Sequence, residues 1–442
     1  MAKRVILKNA LPGIKSKRII ERERKFIATG TKCWETPAVP EKGEGVWFTD
    51  LDGNVMMDWT NGMVAILGHS HPGWIKANIE QLQKIVYFNS PDFPNPKQAE
   101  LIEELVKLTP GNFPKKVFLS CSGTEAVEAA LKVARISTGK NIVIGWIGDF
   151  HGRTAGSLAL TASKPAQKSG YTQYLTSTFS IPFANCYRCW YGMVYPSCGA
   201  FCAEVLERHF KTHIPPEDVA AIIYEPVQGE GGYIVPPKEF YQKLQKITKK
   251  YKILLIADEV QTGFGKSGYW FASEAFGMTP DIVTIAKGIG NGAPMGATVF
   301  PAKLDFPRQG MHSNTFGGQL LSCASALATI DAIKKEKLLA RAKKMGEIFR
   351  NKLLALQEKF KSIGDVRNLG LLIGVEFVKD RKSKEPAKEL RDNLIKRCYE
   401  RGLLIIPCGE STIRITPPLT IREDEISTGI EILEKALKDV KA

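Results

Sequence analysis

No stretch of this 442-residue chain reaches the ~18 uninterrupted apolar residues that a membrane-spanning helix requires. The basic amino terminus, MAKRVILKNALPGIKSKRIIERERKF, has neither the apolar core nor the small-residue cleavage site of a secretory signal, so a cytoplasmic protein without membrane attachment is expected. Internal repeats and low-complexity tracts are missing too. The formal net charge of +15 would suit nucleic acid, yet the basic residues are spread out and alternate with acids, as in KKEKLLARAKKMGE and REDEISTGIEILEKALKDVKA. That is the pattern of solvated helix faces, and no basic module interleaved with aromatics is visible, so nucleic acid is not expected as a partner. A positive background instead suits small anionic ligands.

What is present is the composition of an ordinary globular protein, 44% hydrophobic and 24% charged, long enough for roughly two to three domains. A basic helical stretch and the proline-spaced TPAVPEKGEG open the chain, and VWFTDLDGNVMMDW reads as a hairpin turning at Asp52 and Gly53. From about Asn61 to about Gln319 apolar strands alternate with helical patterns, the signature of parallel βαβ units. KKVFLS, NIVIGW, AAIIYE, KILLIAD and DIVTIAK are the expected sheet strands. Beyond Leu320 the pattern changes to a long helix over roughly 322–360, then LGLLIGVEFV, another helix, LLIIPC, TIRITPPL and a terminal helix. The expected fold class is α/β. Residues 61–320 would form a mainly parallel sheet flanked by helices, residues 321–442 a smaller α+β domain, and residues 1–60 a segment packing with the small domain.

Two of these strands end in an ionisable residue: Asp258 closes ILLIAD, and Lys287 closes DIVTIAK 29 residues on. Reactive groups of open α/β sheets gather past the strands' carboxyl ends, and a carboxylate with a lysine there is half of a pyridoxal phosphate site. The lysine supplies a Schiff-base amine and the aspartate holds the pyridinium nitrogen protonated; an ordinary ion pair is the plain alternative. Small residues after Lys287, in IAKGIGNGAPMGA, desolvate its amine and favour the neutral nucleophile. Gln261, three residues past Asp258, is placed to meet a phenolic oxygen of the ring.

Other motifs carry further candidates. In FLSCSGTEAVEAALKVAR a strand breaks at Ser122-Gly123-Thr124 and a helix begins, with Ser122 and Glu125 at capping-box spacing. Free N–H groups there make either a phosphate cradle or an ordinary cap. WIGDFHGRTAGS delivers Phe150 and His151, rings suited to stacking on a flat heterocycle or to core packing, and Arg153, a carboxylate grip or a surface ion-pair partner. AAIIYEPVQGEGG carries Glu225 at a strand end and Glu230 in a glycine-rich turn, either of which also suits a solvated or capping role. HSNTFGGQ places Thr315 in a turn suited to a phosphate oxygen. Arg414 interrupts the apolar TIRITPPL, where it needs a carboxylate from the protein or from a substrate.

In this order, from GHSHP near His71 to IRITPPL, these motifs resemble the class III pyridoxal phosphate aminotransferases of fold type I, including the 4-aminobutyrate and ornithine aminotransferases. The resemblance implies that Lys287 carries the cofactor, Asp258 pairs with its ring nitrogen, Gln261 meets the 3-hydroxyl and Phe150 stacks on the ring. It implies that Gly123 and Thr124 hold the phosphate, with Ser122, His151 and Glu225 completing the cofactor-binding set. Thr315 would reach the phosphate of a neighbouring subunit, which implies a homodimer with sites at the interface. Arg414 would bind the α-carboxylate of a 2-oxo acid, Glu230 would pair with Arg414 when an ω-amino substrate enters, and Arg153 would hold a distal carboxylate. Met63 and Val64 stand where ornithine enzymes carry a tyrosine, a departure that favours an apolar or broad substrate range over ornithine. The implied reaction moves an amino group from an amino acid, 4-aminobutyrate or another ω-amino acid among them, to a 2-oxo acid. Some racemases resemble the same family, so a racemase with Lys287 and Glu230 as opposed bases is the alternative. A catalytically silent binding protein is a third reading, opposed by the intact Lys287, Asp258 and Gln261.

Four of the nine cysteines are packed into one segment apart from these motifs, CYRCWYGMVYPSCGAFC: Cys186, Cys189, Cys198 and Cys202. Their pairs are separated by two and three residues with eight between them, a departure from the usual structural zinc spacings. No metal is required by the pyridoxal chemistry. A metal site or disulfides at these four are the alternatives to free thiols.

Overall fold

The computed structural model describes residues 3–31, 36–174 and 177–440. Backbone contacts group the chain into two compact units, Met1–Pro72 with Ala340–Ala442, and Gly73–Leu339.

Gly73–Leu339 is built on a seven-stranded sheet. Across it the strands run Lys115–Ser120, Gly296–Pro301, Ile282–Ile285, Leu254–Asp258, Val219–Tyr224, Ile142–Ile147 and Thr178–Pro182. Gly296–Pro301 is antiparallel to both neighbours and every other pair is parallel. The remaining six strands therefore point one way, and their carboxyl ends share one edge. All five strands expected from the apolar runs are present. Val219–Tyr224 is buried along its whole length, which is why it reads as an unbroken apolar run. The two strands not foreseen have weak signals: Thr178–Pro182 lies at the sheet's edge, and Gly296–Pro301 owes its complete burial to pairing on both sides.

The helix Gly123–Thr138 packs on this sheet through small residues. Its Val127, Ala130, Leu131, Val133 and Ala134 share one core cluster with Val143, Ala221, Ile223, Ile256 and Ile282. Alanine lets the helix approach closely, and each buried isoleucine or valine contributes on the order of 1.5–3 kcal/mol. Ser122 caps the helix start, its Oγ accepting from Glu125 N at 3.3 Å, and Gly139 ends it at φ 70°.

In the other unit, Pro40–Glu44, Trp47–Asp50 and Val55–Asp58 pair antiparallel, and Leu403–Leu404 joins Val55–Asp58 in parallel. The expected hairpin has Trp47 opposite Met57. Its turn closes on Asp50, whose Oδ1 accepts from Asp52 N and Asn54 N at 3.0 and 2.8 Å. A second, antiparallel sheet orders Ile363–Leu369, Leu372–Phe377, Thr412–Ile415 and Ile406–Cys408. Trp59 is fully buried there, edge-on to Phe349 with centroids 5.0 Å apart.

The single helix expected over roughly 322–360 is two helices, Leu320–Lys335 and Leu338–Lys359, broken where Lys337 adopts φ 53°. Leu320–Lys335 is tied within Gly73–Leu339: Ser325 Oγ donates to Asn78 Oδ1 at 2.6 Å, and Ser322 Oγ donates to the Pro294 carbonyl at 2.7 Å. Among the described residues no helix is long and apolar enough to cross a membrane.

Candidate active site

Because six strands end on one edge, segments 121–124, 148–151, 225–230, 258–261 and 286–290 all leave the sheet on the same side. Asp258 closes its strand opposite Thr284 of the next parallel strand, and that strand leads into Lys287. Lys287 is half-buried at φ 47° and opens the short turn Lys287–Gly290, whose Gly288, Ile289 and Gly290 are buried.

Asp258 is enclosed by donors. His151 Nδ1 lies 2.7 Å from its Oδ2, while Val260 N and Thr284 Oγ1 each donate to its Oδ1 at 3.1 Å. The other imidazole nitrogen, Nε2, lies 3.2 Å from Asp149 Oδ2. Asp149 is held in turn by Gln228, whose Nε2 donates to its Oδ1 at 2.8 Å. Burial alone would push the His151 imidazole down, but Asp149 and Asp258 more than offset this and raise it to about 10. Burial lifts the Asp149 carboxyl above its ordinary range, with Asp258 adding to the shift and His151 and Gln228 opposing it. Glu225 is buried as well, its Oε1 accepting from Phe150 N at 2.7 Å and its Oε2 from Gly229 N at 2.9 Å. Burial first, then the Asp149 charge, push Glu225 up to about 8.

The sequence groups Phe150 and His151 as two rings of similar use; in the fold they diverge. Phe150 is half-buried with the Arg153 guanidinium 5.6 Å from its ring centroid, whereas His151 is buried with both nitrogens on carboxylates. Tyr233 donates its hydroxyl to Gln261 Oε1 at 2.5 Å. At the helix start, Cys121 N donates to Glu125 Oε2 at 2.6 Å. Thr124 Oγ1 lies 2.7 Å from both Thr154 Oγ1 and Ser157 Oγ. Gly123 is required by space: a Cβ there would sit 2.8 Å from Val260 Cγ1, so this turn packs directly against the loop after Asp258.

Other candidates lie further out. Glu230 is half-buried with its Oε2 3.4 Å from Lys164 Nζ, and Arg153 is exposed. Thr315 is exposed too, its carbonyl accepting from Tyr87 OH at 3.1 Å. Within the other unit, Met63 and Val64 are brought beside the strand that carries Arg414: Thr416 N donates to the Trp59 carbonyl at 2.8 Å and Thr416 Oγ1 to the Thr60 carbonyl at 2.8 Å. Asp58 holds the Met63-Val64 turn, accepting from Thr60 N at 2.8 Å and from Asn61 Nδ2 at 2.7 Å. Arg414 is buried in the middle of its sheet, opposite Gly374 and Ile406.

Cys186, Cys189, Cys198 and Cys202 form no disulfide in the structure, and among the described residues no group of three or more His, Cys, Asp or Glu is arranged to hold a metal ion. The four line one small cavity with Phe183, Trp190 and Phe201, so they pack among aromatic rings as small apolar side chains.

Sequence reasoning missed Asp149, Gln228 and Tyr233. Asp149 directly precedes Phe150, but the only pointer to Gln228 is Gly148, where a Cβ would stand 2.7 Å from Gln228 Oε1. The buried network has a consequence for stability. Glu225 rises from 4.5 to about 8 and His151 from 6.5 to about 10, so the folded chain binds more protons than the unfolded one. The stability they contribute is complete below their unfolded values and is lost as pH climbs through about 8 and about 10. The thermal midpoint, measured without added ligand, is expected to fall between roughly pH 7 and 10, and less steeply near pH 8 in Glu225→Gln. A flat or rising midpoint over that window contradicts the network.

The groups on this edge suit pyridoxal phosphate: an enclosed carboxylate for a ring N–H, a lysine on the adjacent strand end, and a helix amino terminus for a phosphate. The sequence pattern of the family described as Aminotransferase class-III matches residues 30–437. Alanine/serine racemase of Pyrococcus horikoshii is 36% identical over 436 residues, covering 97% of this chain and 91% of the relative. 5-Aminovalerate aminotransferase DavT of Pseudomonas aeruginosa is 38% identical over 408 residues, covering 91% of this chain and 94% of the relative. An amine transaminase from an uncultivated Pseudomonas species, solved in its PLP-bound form, superposes with a TM-score of 0.85 at 31% identity, covering 91% of this chain and 95% of the other. The chain belongs to the class III aminotransferases, enzymes of fold type I whose cofactor is pyridoxal phosphate.

Proposed function

We propose that this enzyme moves an amino group from an ω-amino acid, or from a broad range of amino acids, to a 2-oxo acid. The observation that carries the reading is the adjacency of two strand ends, one delivering Asp258 braced by His151 and the next leading to Lys287. Pyridoxal phosphate supplies an electron sink when its ring nitrogen is protonated. We assign Asp258 to that nitrogen, Gln261 Nε2 to the phenolic oxygen, Phe150 to the ring face, and the 122–124 turn to the phosphate. Lys287 Nζ would hold the cofactor, and its neutral amine, when free, would be the base for the proton on the amine-bearing carbon of the substrate. Arg153 and Arg414 are the candidates for gripping substrate carboxylates.

Similarity to an alanine/serine racemase favours a second reading, in which Glu230 returns the proton to the opposite face of that carbon. The Lys164 ammonium 3.4 Å from Glu230 supports the first, because it engages the carboxylate that a second base would need to keep free. The two readings separate when holoenzyme is mixed with one L-amino acid and no 2-oxo acid. Transamination stops after about one equivalent of oxo product per site, and Lys287→Ala forms none. Repeated turnover to the D-enantiomer overturns the first reading in favour of the second.

We also propose that two copies of the chain form the working enzyme. Ile79, Leu82, Val86, Phe88, Phe93 and Phe316 are exposed on the same unit, with the Phe88 and Phe93 rings 5.0 Å apart, and a second copy would cover such apolar side chains. Thr315, exposed next to Phe316, is the residue assigned to a second copy's phosphate. Sedimentation of the holoenzyme at micromolar concentration is expected to report a dimer, and a fully active monomer contradicts this.

A further inference from the structure

Glu128 is half-buried on the helix Gly123–Thr138, one turn beyond Thr124. It receives two donors from the segment that follows Arg153: Thr154 Oγ1 at 2.6 Å and Ser157 N at 3.0 Å, both on Oε1. Thr154 stands at the N-cap of the short helix Ala155–Leu160, yet its own side chain makes no capping bond. Glu128 caps in its place, taking the Thr154 hydroxyl hydrogen and Ser157 N on one oxygen. Two glycines leave room for this contact. A Cβ on Gly156 would lie 2.3 Å from Glu128 Oε2, and one on Gly152 would lie 2.3 Å from Thr124 Oγ1 and 2.5 Å from Ser157 Oγ.

The carboxylate also sets the direction of the hydroxyl bonds around it. A carboxylate only accepts, and a hydroxyl has one hydrogen. With the Thr154 hydrogen on Glu128, the 2.7 Å contact between Thr124 Oγ1 and Thr154 Oγ1 must take its hydrogen from Thr124. Thr124 Oγ1 is left as an acceptor, with Ser157 Oγ at 2.7 Å and Thr154 N at 3.5 Å. Ser157 Oγ has two other acceptors in reach, Thr154 Oγ1 at 3.0 Å and the Thr154 carbonyl at 3.1 Å. Neither choice releases the Thr124 hydrogen, because Thr154 Oγ1 can only accept from it. The Thr124 hydroxyl therefore has no hydrogen to give a phosphate oxygen, and binding at this turn falls to backbone N–H groups at the helix start.

We propose that Glu128 is a positioning residue: by engaging Thr154 and Ser157 it commits the Thr124 hydroxyl to holding the Arg153 segment against the phosphate turn, and leaves the cofactor phosphate to the backbone. The inference rests on the assignment of the 122–124 turn to that phosphate. On its other side the segment is gripped by Thr161, whose Oγ1 accepts from His151 N at 3.0 Å and Gly152 N at 3.3 Å and donates to the Gly152 carbonyl at 2.9 Å. Arg153 stands between these two fixed points. The backbone that carries this candidate grip for a substrate carboxylate is thus tied to the helix that opens on the phosphate.

Two measurements test this. In the first, the affinities of the apoprotein for pyridoxal phosphate and for pyridoxal are compared, so that their ratio isolates the phosphate contact. Thr124→Val is expected to keep the wild-type ratio. A hydroxyl donating to the phosphate is worth roughly tenfold or more, and a fall of that size in Thr124→Val, restored in Thr124→Ser, overturns the proposal. In the second, backbone hydrogen exchange of the apoprotein is followed by mass spectrometry in a peptide spanning 152–160. Exchange is expected to rise several-fold in Glu128→Ala, the scale of a lost helix cap, and to rise in Thr124→Val as well. Glu128→Gln, whose amide oxygen still accepts, should stay near wild type. Unchanged exchange in Glu128→Ala, or an equal rise in Glu128→Gln, overturns the positioning role. A wild type that binds pyridoxal as tightly as pyridoxal phosphate instead removes the phosphate assignment beneath the proposal, on which the exchange does not depend.

Discussion

A carboxylate at the end of an apolar strand stays charged only where donors surround it, because the isolated ion would cost several kcal/mol to bury. Asp258 meets this condition with His151, Val260 N and Thr284 Oγ1. Much of the local architecture follows from that requirement. Thr284 is supplied by the neighbouring strand, whose next few residues bring Lys287. His151 arrives from the loop after Ile142–Ile147, and its second carboxylate, Asp149, is pinned by Gln228 in the loop after Val219–Tyr224. The same loop returns Gly229 N to Glu225, so the glycine-rich turn holding Glu230 begins on this network. Three loops are thus coupled to one buried charge.

The sheet makes that convergence available. With six strands ending on one edge, residues far apart in sequence meet without any long excursion of the chain. The helix Gly123–Thr138 adds its amino terminus to the same edge, and its small buried face lets it lie close to the strands. Gly123 against Val260 shows how tight the join is, since a single methyl group would stand 2.8 Å from Val260 Cγ1.

Much of this was legible in the residues. The five apolar runs signalled strands because buried parallel strands are apolar on both faces, and Asp258 and Lys287 stood out as charges closing such runs. Ser122 and Glu125 announced the helix start through their capping spacing, and Ser122 does accept from Glu125 N. What stayed hidden was tertiary. Nothing local separates His151 from Phe150; only the arrival of Asp258 and Asp149 at its two nitrogens does. Gln228 and Tyr233 act through partners remote in sequence, Asp149 and Gln261. Gly296–Pro301 opens on glycine and closes on proline, so its place between two strands depends on pairing rather than on its own pattern. Lys337 broke an otherwise continuous helical pattern by taking a left-handed backbone that no residue type there foretold.

Under the proposed function, the network around Asp258 would activate the substrate carbon without choosing where its proton goes, and that choice would fall to other groups such as Glu230, whose carboxylate lies 3.4 Å from Lys164 Nζ. The account as a whole stands on Asp258 presenting a negative charge to the ring nitrogen of pyridoxal phosphate. The direct measurement is the 15N chemical shift of holoenzyme reconstituted with ring-15N pyridoxal phosphate at neutral pH. A shift typical of a protonated pyridinium is predicted, and a shift typical of a bare pyridine nitrogen would contradict it.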